Sequence, residues 1–369
     1  MQVQGTCEKK FLKIKKLFQE SFDNKEESGA AFCVIQNNKP IINLFGGIKN
    51  DNQAWDQDTI VNTFSLSKGI YAACITKLIS DNLLDLEKPI SYYWNTFKKN
   101  KNCILIKHLL SHQSGMYRFK EKIENKDLLD WDKIISILEN QEPDHKAGEF
   151  TYYHAKTHGF LVGKLIQIIT GMSAGTYLKK TICNKHNLKF FFGLENSELK
   201  NVATLIGDTK QKKIISKELE YNSFNNPEND LNFYNTKDWR KAEIPSMGGH
   251  GNAYSIAYIY YFLASDYARN TNIISNQRIL KTSLTESIFR VDLSLNLPIK
   301  WTNLGFILRG GWMFGKNKEA FGHNGWGGSV GFADPINNLG IAYVTNKINN
   351  TMGADKRAVT LIKKIYEEL

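Results

Sequence analysis

Apolar and polar positions change period twice along the chain. Residues 8–23 repeat apolar side chains at helical spacing, with Phe11, Leu12, Ile14, Leu17, Phe18 and Phe22 on one broad stripe. Ala30–Gln36 and Pro40–Gly46 are instead short apolar runs on either side of Asn37-Asn38-Lys39, the pattern of two strands joined by a hairpin turn. Thr59–Phe64 is a further extended run and leads into Lys68–Leu84, which predicts a buried helix. From about residue 85 to 290 the pattern is helical and rich in loops. Trp131–Leu138 and His158–Thr170 are amphipathic there, the second closing at Gly171, and Gly251–Ala264 predicts another, aromatic-rich helix. Strand-like runs return at Thr302–Leu308, Gly311–Phe314, Ser329–Asp334 and Leu339–Asn346. The last two flank Asn337-Asn338 as a hairpin turn, and Gly353–Leu369 predicts a closing helix.

Strands at both ends with helices between them predict an α+β fold. The simplest assembly is one antiparallel sheet built from both termini, with the terminal helices on one face and a mainly helical subdomain inserted. The α/β lobe would comprise about residues 1–84 and 291–369, and the helical lobe about 85–290. No repeat and no low-complexity linker separates the lobes, so residues 1–369 read as one folding unit. A 369-residue chain that is 42% hydrophobic is long enough to bury a large core in this way.

The formal charge of +11 changes the picture little. Basic residues are scattered among acids, as in Lys120-Glu121-Lys122-Ile123-Glu124, and no nucleic-acid-binding motif accompanies them, so no nucleic-acid partner is expected. The densest basic segment, Lys9 to Lys16, reads as a terminal helix packed on its own domain rather than one lying on a membrane. The five cysteines are widely spaced and form no Cys-x-x-Cys pair, which fits a reducing compartment. The N-terminus lacks an apolar signal core and no uncharged run reaches membrane-spanning length, so a soluble, cytoplasmic protein is expected. Eight histidines are dispersed. The pairs His108/His112 and His154/His158 have no third ligand at recognisable spacing, so neither a metal nor another cofactor is expected.

The most informative chemistry is Ser65-Leu66-Ser67-Lys68, between the extended run and the buried helix. A serine three residues before a lysine at a helix start shares a face with it, and its N–H points out of the helix end, where negative charge is favoured. This is the Ser-x-x-Lys pattern of penicillin-binding proteins and β-lactamases. A second match, Ser197-Glu198-Leu199-Lys200, lies in a polar stretch and reads as an exposed turn. Tyr153 lies in the loop Gly148–Ala155, before a helix. A tyrosine so placed acts as a general base where a nearby cation lowers its pKa, and otherwise simply packs. Tyr152 takes the role if the register is off by one.

His323-Asn324-Gly325-Trp326-Gly327-Gly328 precedes a strand. It is either a second source of substrate contacts or a glycine-rich hairpin with a buried histidine. In the first case the Trp326 N–H is an oxyanion donor, His323 orients the acyl group, and Gly325 permits close backbone approach. Gly327-Gly328-Ser329-Val330-Gly331 also satisfies the Gly-x-Ser-x-Gly hydrolase elbow. A strand and a turn follow Ser329, however, and no histidine occurs after His323, so that reading fails.

Taken in order, these segments resemble the serine β-lactamase-like esterase family, the branch related to class C β-lactamases and penicillin-binding proteins that contains carboxylesterases and acyltransferases. The resemblance runs through Gly29-Ala30-Ala31-Phe32, Phe64–Gly69, Asn82–Leu86, Tyr93–Phe97, Leu109–Gly115, Tyr153–Leu161, Gly322–Gly325 and Phe332–Pro335. It implies Ser65 as nucleophile, Lys68 as its activator and Tyr153 as the family's catalytic tyrosine. His323-Asn324-Gly325 stands in place of the Lys-Thr-Gly triplet of β-lactamases. Ala155 stands where Tyr-x-Asn has its asparagine, and Ala147 where proline usually precedes Gly148. These departures favour cleavage of a small carboxylic ester or amide through a Ser65 acyl-enzyme over antibiotic hydrolysis. The alternatives are an acyltransferase, a β-lactamase or D-amino-acid peptidase of the same fold, and a non-catalytic binding relative.

Overall fold

The computed structural model describes residues 2–51, 53–97, 103–207, 222–268, 273–274, 276–285, 288–308, 311–349, 353 and 355–369. Its centre is an antiparallel sheet that both chain ends build. The strand order across it is Gln4–Cys7, Lys39–Asn50, Gly29–Gln36, Leu339–Thr345, Val330–Asp334, Phe321–Asn324, Ile307–Leu308, Leu297–Trp301 and Ile288–Asp292. The short strand Gln53–Ala54 adds to Lys39–Asn50 off this path. The two ends meet where Gly29–Gln36 pairs with Leu339–Thr345, in the register Cys33 opposite Ala342. The hairpin at Asn37-Asn38 forms as its sequence predicts, with φ of 50° and 61°, the left-handed pair that asparagine tolerates best after glycine.

Both central strands are buried on both faces, so period two sorts their side chains between two cores. Phe32, Val34, Phe332, Ile341 and Tyr343 face the terminal helices Leu12–Asp23 and Lys356–Glu368, meeting Ile14, Phe18, Leu361, Ile362 and Ile365. Burying each such side chain contributes roughly 1.5–3 kcal/mol, whereas exposed pairs such as Lys13–Glu368 add little. The amphipathic N-terminal helix thus lies on its own sheet. Ala31, Cys33, Ala333, Ala342 and Val344 face the other way, into the core around helix Leu66–Ser80.

Helix Ala253–Ala268 lies against that second face. It comes so close that a Cβ on Gly340 would sit 2.0 Å from the Ala257 carbonyl oxygen, which only glycine permits. The helices Trp131–Asn140 and Thr157–Thr170 form where their periodicity predicts, and Gly171 closes the second at φ 70°.

Two expected strands differ, and one hairpin is additional. Thr302–Leu308 is a strand only at Ile307–Leu308, because Thr302 turns the chain by accepting on its hydroxyl, and pairing its N–H, with Phe306. Gly311–Phe314 is a 3₁₀ turn. A hairpin of Ile288–Asp292 and Leu297–Trp301, left unassigned in the sequence, forms the far edge of the sheet. Among the described residues no helix is long and apolar enough to cross a membrane.

Candidate active site

Ser65 caps the N-terminus of helix Leu66–Ser80, at a bend the chain adopts under constraint. Phe64, just before it, has φ of 47°, an unfavourable value for a side chain with a Cβ. Three contacts hold it there. The Phe64 N–H donates to Asn62 Oδ1 at 3.0 Å, the Thr63 N–H donates to the Gly249 carbonyl at 2.8 Å, and the Phe64 ring packs edge-on against Trp326 at 5.0 Å. The short strand Val61–Asn62 pairs with Gly249–Gly251, and the Gly249 N–H reaches Ser67 Oγ at 3.1 Å, which pins the first turn of the helix. The serine is thereby fixed at the helix end while staying half-exposed.

Lys68 is wholly buried, one turn along. Its Nζ lies 3.1 Å from Ser65 Oγ and 2.9 Å from both the Ala155 and Ser246 carbonyl oxygens. Burial, with the Lys156 charge adding to it, holds its pKa well below the usual lysine value. Two of its donor directions are committed to the carbonyls, and the third points at Ser65 Oγ. Lys156 is itself buried, donates to the Phe224 carbonyl at 2.8 Å, and is pushed down to about 7 by burial.

Tyr153 completes the group. Its hydroxyl faces the Ser65 side chain, its ring lies 4.9 Å from Lys68 Nζ, and it stacks on Trp301 at 5.9 Å and Phe224 at 6.1 Å. Its backbone N–H donates to Asp292 Oδ1 at 3.1 Å. That carboxylate also collects the Ser294 and Leu295 N–H groups and is pushed up to about 6 by burial. Burial also raises the Tyr153 hydroxyl above its ordinary value, opposite to the cation-driven lowering expected of a base, so it rests as a phenol. Tyr152 points elsewhere, stacking on Tyr117 at 4.3 Å.

The glycine turn meets the helix from the other side. Gly325 lies against Thr63, and a Cβ there would come 2.1 Å from the Thr63 carbonyl oxygen. Among the described residues, neither the Ser65 nor the Trp326 backbone N–H has an acceptor in the protein, whereas the Gly325 N–H is taken by Ser329 O at 2.7 Å. The Trp326 indole is buried against Phe64, so the side chain anchors the turn. His323 donates Nδ1–H to the Asn324 carbonyl at 2.7 Å, which leaves Nε2 unprotonated, buried and without a partner. Burial pushes this ring down to about 3, with the nearby Lys68 charge second, so it is neutral at pH 7.

A family sequence model described as β-lactamase matches residues 14–363. The chain belongs to the β-lactamase family. It superposes over 100% of both chains on a family VIII carboxylesterase, with TM-score 0.92 and 32% identity. A penicillin-binding protein homologue from Caulobacter crescentus superposes equally well, with TM-score 0.92 and 29% identity over 100% of both chains. Esterase/beta-lactamase LipL of Mycobacterium tuberculosis is 25% identical over 362 residues, covering 93% of this chain and 83% of that protein.

As a member of this family the chain departs from the β-lactamase pattern in ways the geometry explains. Ala155 contributes its carbonyl to Lys68 and has no side-chain amide to offer. His323, set by the resemblance in place of a lysine, carries no charge at pH 7. Ser197 is exposed and bonds only its neighbour Glu198, away from the site. Ser329 lies in the turn before strand Val330–Asp334, with no helix after it.

Three of the i, i+4 histidines, His112, His154 and His158, form a buried layer under Tyr153, whereas His108 is half-buried. His112 lies 4.4 Å from His158 and 4.9 Å from Tyr153, ring to ring. His154 bonds Ser114 Oγ and the Tyr152 carbonyl, and His158 bonds Tyr71 and the Leu109 carbonyl, so each keeps one fixed neutral tautomer. Asp292, Trp301, Lys156 and Ser246 were not singled out in the sequence, because none stands in a motif. Asp292 was the most accessible of them, as an acid followed by Leu-Ser-Leu-Asn, a turn composition.

Gly325→Val should lower kcat by about 10²–10³, the cost of losing one oxyanion donor, because the new Cβ must push the turn off the Thr63 carbonyl. KM should change little. Steady-state kinetics on a chromogenic ester would measure both, and an unchanged kcat would remove this turn from the site.

Proposed function

We propose that this protein is a serine hydrolase that cleaves small carboxylic esters through a Ser65 acyl-enzyme. The observation that carries the proposal is the buried Lys68 amine, 3.1 Å from Ser65 Oγ with its other donors bound to two carbonyls. In this reading the neutral amine takes the Ser65 proton as Oγ attacks the ester carbonyl. The Ser65 and Trp326 N–H groups hold the oxyanion that forms. The proton returns to the departing alkoxide through the Tyr153 hydroxyl, the alcohol leaves, and water deacylates the serine by the reverse relay.

The family VIII carboxylesterase likeness, at 32% identity over 100% of both chains, supports ester rather than lactam as the scissile group. The neutral His323 supports it too. A ring pushed down to about 3 supplies no fixed cation at pH 7 for the carboxylate that a β-lactam carries. The cytoplasm, where unpaired cysteines persist, is the location this reading assigns.

Short-chain p-nitrophenyl esters and a chromogenic cephalosporin, assayed side by side, test the proposal. Ester turnover should dominate, and a fluorophosphonate probe should label the wild type and fail to label Ser65→Ala. Efficient cephalosporin turnover with negligible esterase activity would overturn the choice of substrate class. Labelling that survives in Ser65→Ala would overturn the choice of nucleophile.

A further inference from the structure

Behind the glycine turn, on the side away from Ser65, lies a buried charge cluster that the reaction above does not use. The Arg357 side chain is 4% exposed, Glu27 is 0% and Asp355 is 2%. Arg357 grips Asp355 with two bonds, Nε to Oδ1 at 2.9 Å and Nη2 to Oδ2 at 2.7 Å. Its Nη1 faces Glu27 Oε1 at 3.0 Å as an ion pair off the hydrogen-bond line. The remaining reach of Nη2 goes to two backbone carbonyls, Gly327 at 3.0 Å and Lys347 at 3.1 Å. Thr345 Oγ1 steadies Glu27 at 2.8 Å, and Asn349 Nδ2 steadies Asp355 at 3.0 Å.

A plain structural reading is that this cluster ties the last helix to the sheet. It does that, since Asp355 also caps the helix through the Arg357 N–H at 2.9 Å. The bond to Gly327 goes further. Gly327 and Gly328 have φ of 84° and 123°, so the turn that presents the Trp326 N–H is made of the two residues with least intrinsic stiffness. At one end Gly325 abuts Thr63, and at the other a Cβ on Gly328 would meet Arg357 Nη2 and Asp355 at 3.0 Å. The turn is therefore clasped between the nucleophile's helix and this guanidinium.

We propose that Arg357, oriented by Glu27 and Asp355, is a positioning residue that sets the Trp326 N–H against the developing oxyanion by fixing the Gly327 carbonyl. The inference rests on the reading of Ser65 and the turn as the reacting site. A lysine here keeps the positive charge but cannot hold two carboxylates and two carbonyls at once, because it lacks the planar fork. Misplacing a reacting contact by 1 Å costs up to about 10²-fold in rate.

The test is Arg357→Lys, with active sites titrated by a fluorophosphonate so that kcat is expressed per competent molecule. A cluster that only stabilises the fold lowers the melting temperature and the titratable fraction and leaves kcat per site alone. The positioning role predicts a fall in kcat per site of about 10- to 100-fold, with KM within twofold. A kcat per site within twofold of wild type overturns it. If Arg357→Lys does not fold, Glu27→Gln decides in its place, assayed at about pH 8.5 where Glu27, pushed up to about 7 by burial, is ionised, since it then removes the charge that orients Nη1 while keeping a group for Thr345. A lower kcat per site at constant KM then supports the inference, and wild-type kinetics overturns it. Ser65→Ala in the same ester assay separates the two failures. Full activity in Ser65→Ala refutes the site itself, whereas a dead Ser65→Ala beside an undiminished Arg357→Lys refutes the clamp alone.

Discussion

Ser65→Ala should abolish ester hydrolysis, by on the order of 10⁴-fold or more, while the protein melts as the wild type does. In the proposed reaction the substitution removes the atom that forms the acyl bond, and no other hydroxyl occupies its place. Ser67 Oγ, two residues on, is taken up by the Gly249 N–H at 3.1 Å and the Thr63 hydroxyl at 3.3 Å. Stability should hold because Ser65 is half-exposed and its side chain caps no N–H of the helix it begins. Lys68 keeps both of its carbonyl partners. Ser197→Ala, which removes an exposed hydroxyl bonded only to Glu198, should leave kcat and KM unchanged. Ester turnover and thermal melts of both variants check this pair of expectations, and the reverse pattern would relocate the nucleophile.

Lys68→Met should lower kcat by about 10²–10⁴, the range for a positioned acid or base. Its pH dependence carries more information than its size. In the proposed reaction the base is the neutral amine, so activity should be present above the Lys68 pKa and be lost as pH falls through it. Burial and the Lys156 charge both hold that pKa well below the usual lysine value, which extends the active range downward from strongly alkaline pH. Lys156→Met removes one of those two effects. It should therefore raise the Lys68 pKa and shift the acid limb of the kcat/KM profile to higher pH. A shift to lower pH, or a profile indifferent to Lys156, would contradict the assignment of Lys68 as the base.

Local patterns carried some parts of the fold and of the site in full. The Asn37-Asn38 hairpin, the strand-then-helix setting of Ser65 and the left-handed close at Gly171 each depend on residues within a few positions of one another. A Ser-x-x-Lys at a helix start places its two side chains one turn apart whatever the rest of the chain does, so that contact was legible. Tyr153 was less so. Its loop marks a tyrosine, but the choice over Tyr152 rests on which ring turns toward Ser65 and which toward Tyr117. Period two failed at Thr302–Leu308 and Gly311–Phe314, where a threonine turn and a 3₁₀ turn overrode strand composition. The hairpin of Ile288–Asp292 and Leu297–Trp301 was also missed, an edge element whose Phe289, Val291 and Leu297 stay exposed, so its apolar residues do not mark a core face.

The sequence by itself determined which groups were available: a serine and a lysine on one helical face, a tyrosine loop, a glycine turn, and an antiparallel sheet drawn from both ends. What those groups do was decided only in three dimensions. Lys68 is held well below the usual lysine pKa because it is wholly buried, where the carbonyls of Ala155 and Ser246, 87 and 178 residues away, converge on it. Tyr153 stays a phenol because Trp301 and Phe224 stack on it, while Asp292, 139 residues on, holds its backbone N–H. The glycine turn is fixed by Thr63 on one side and Arg357 on the other, residues from opposite ends of the chain. Acidity and position depend on what surrounds a group within a few ångströms. In a sheet that closes from both termini, those surroundings come from segments hundreds of residues apart, where neither spacing nor period reaches.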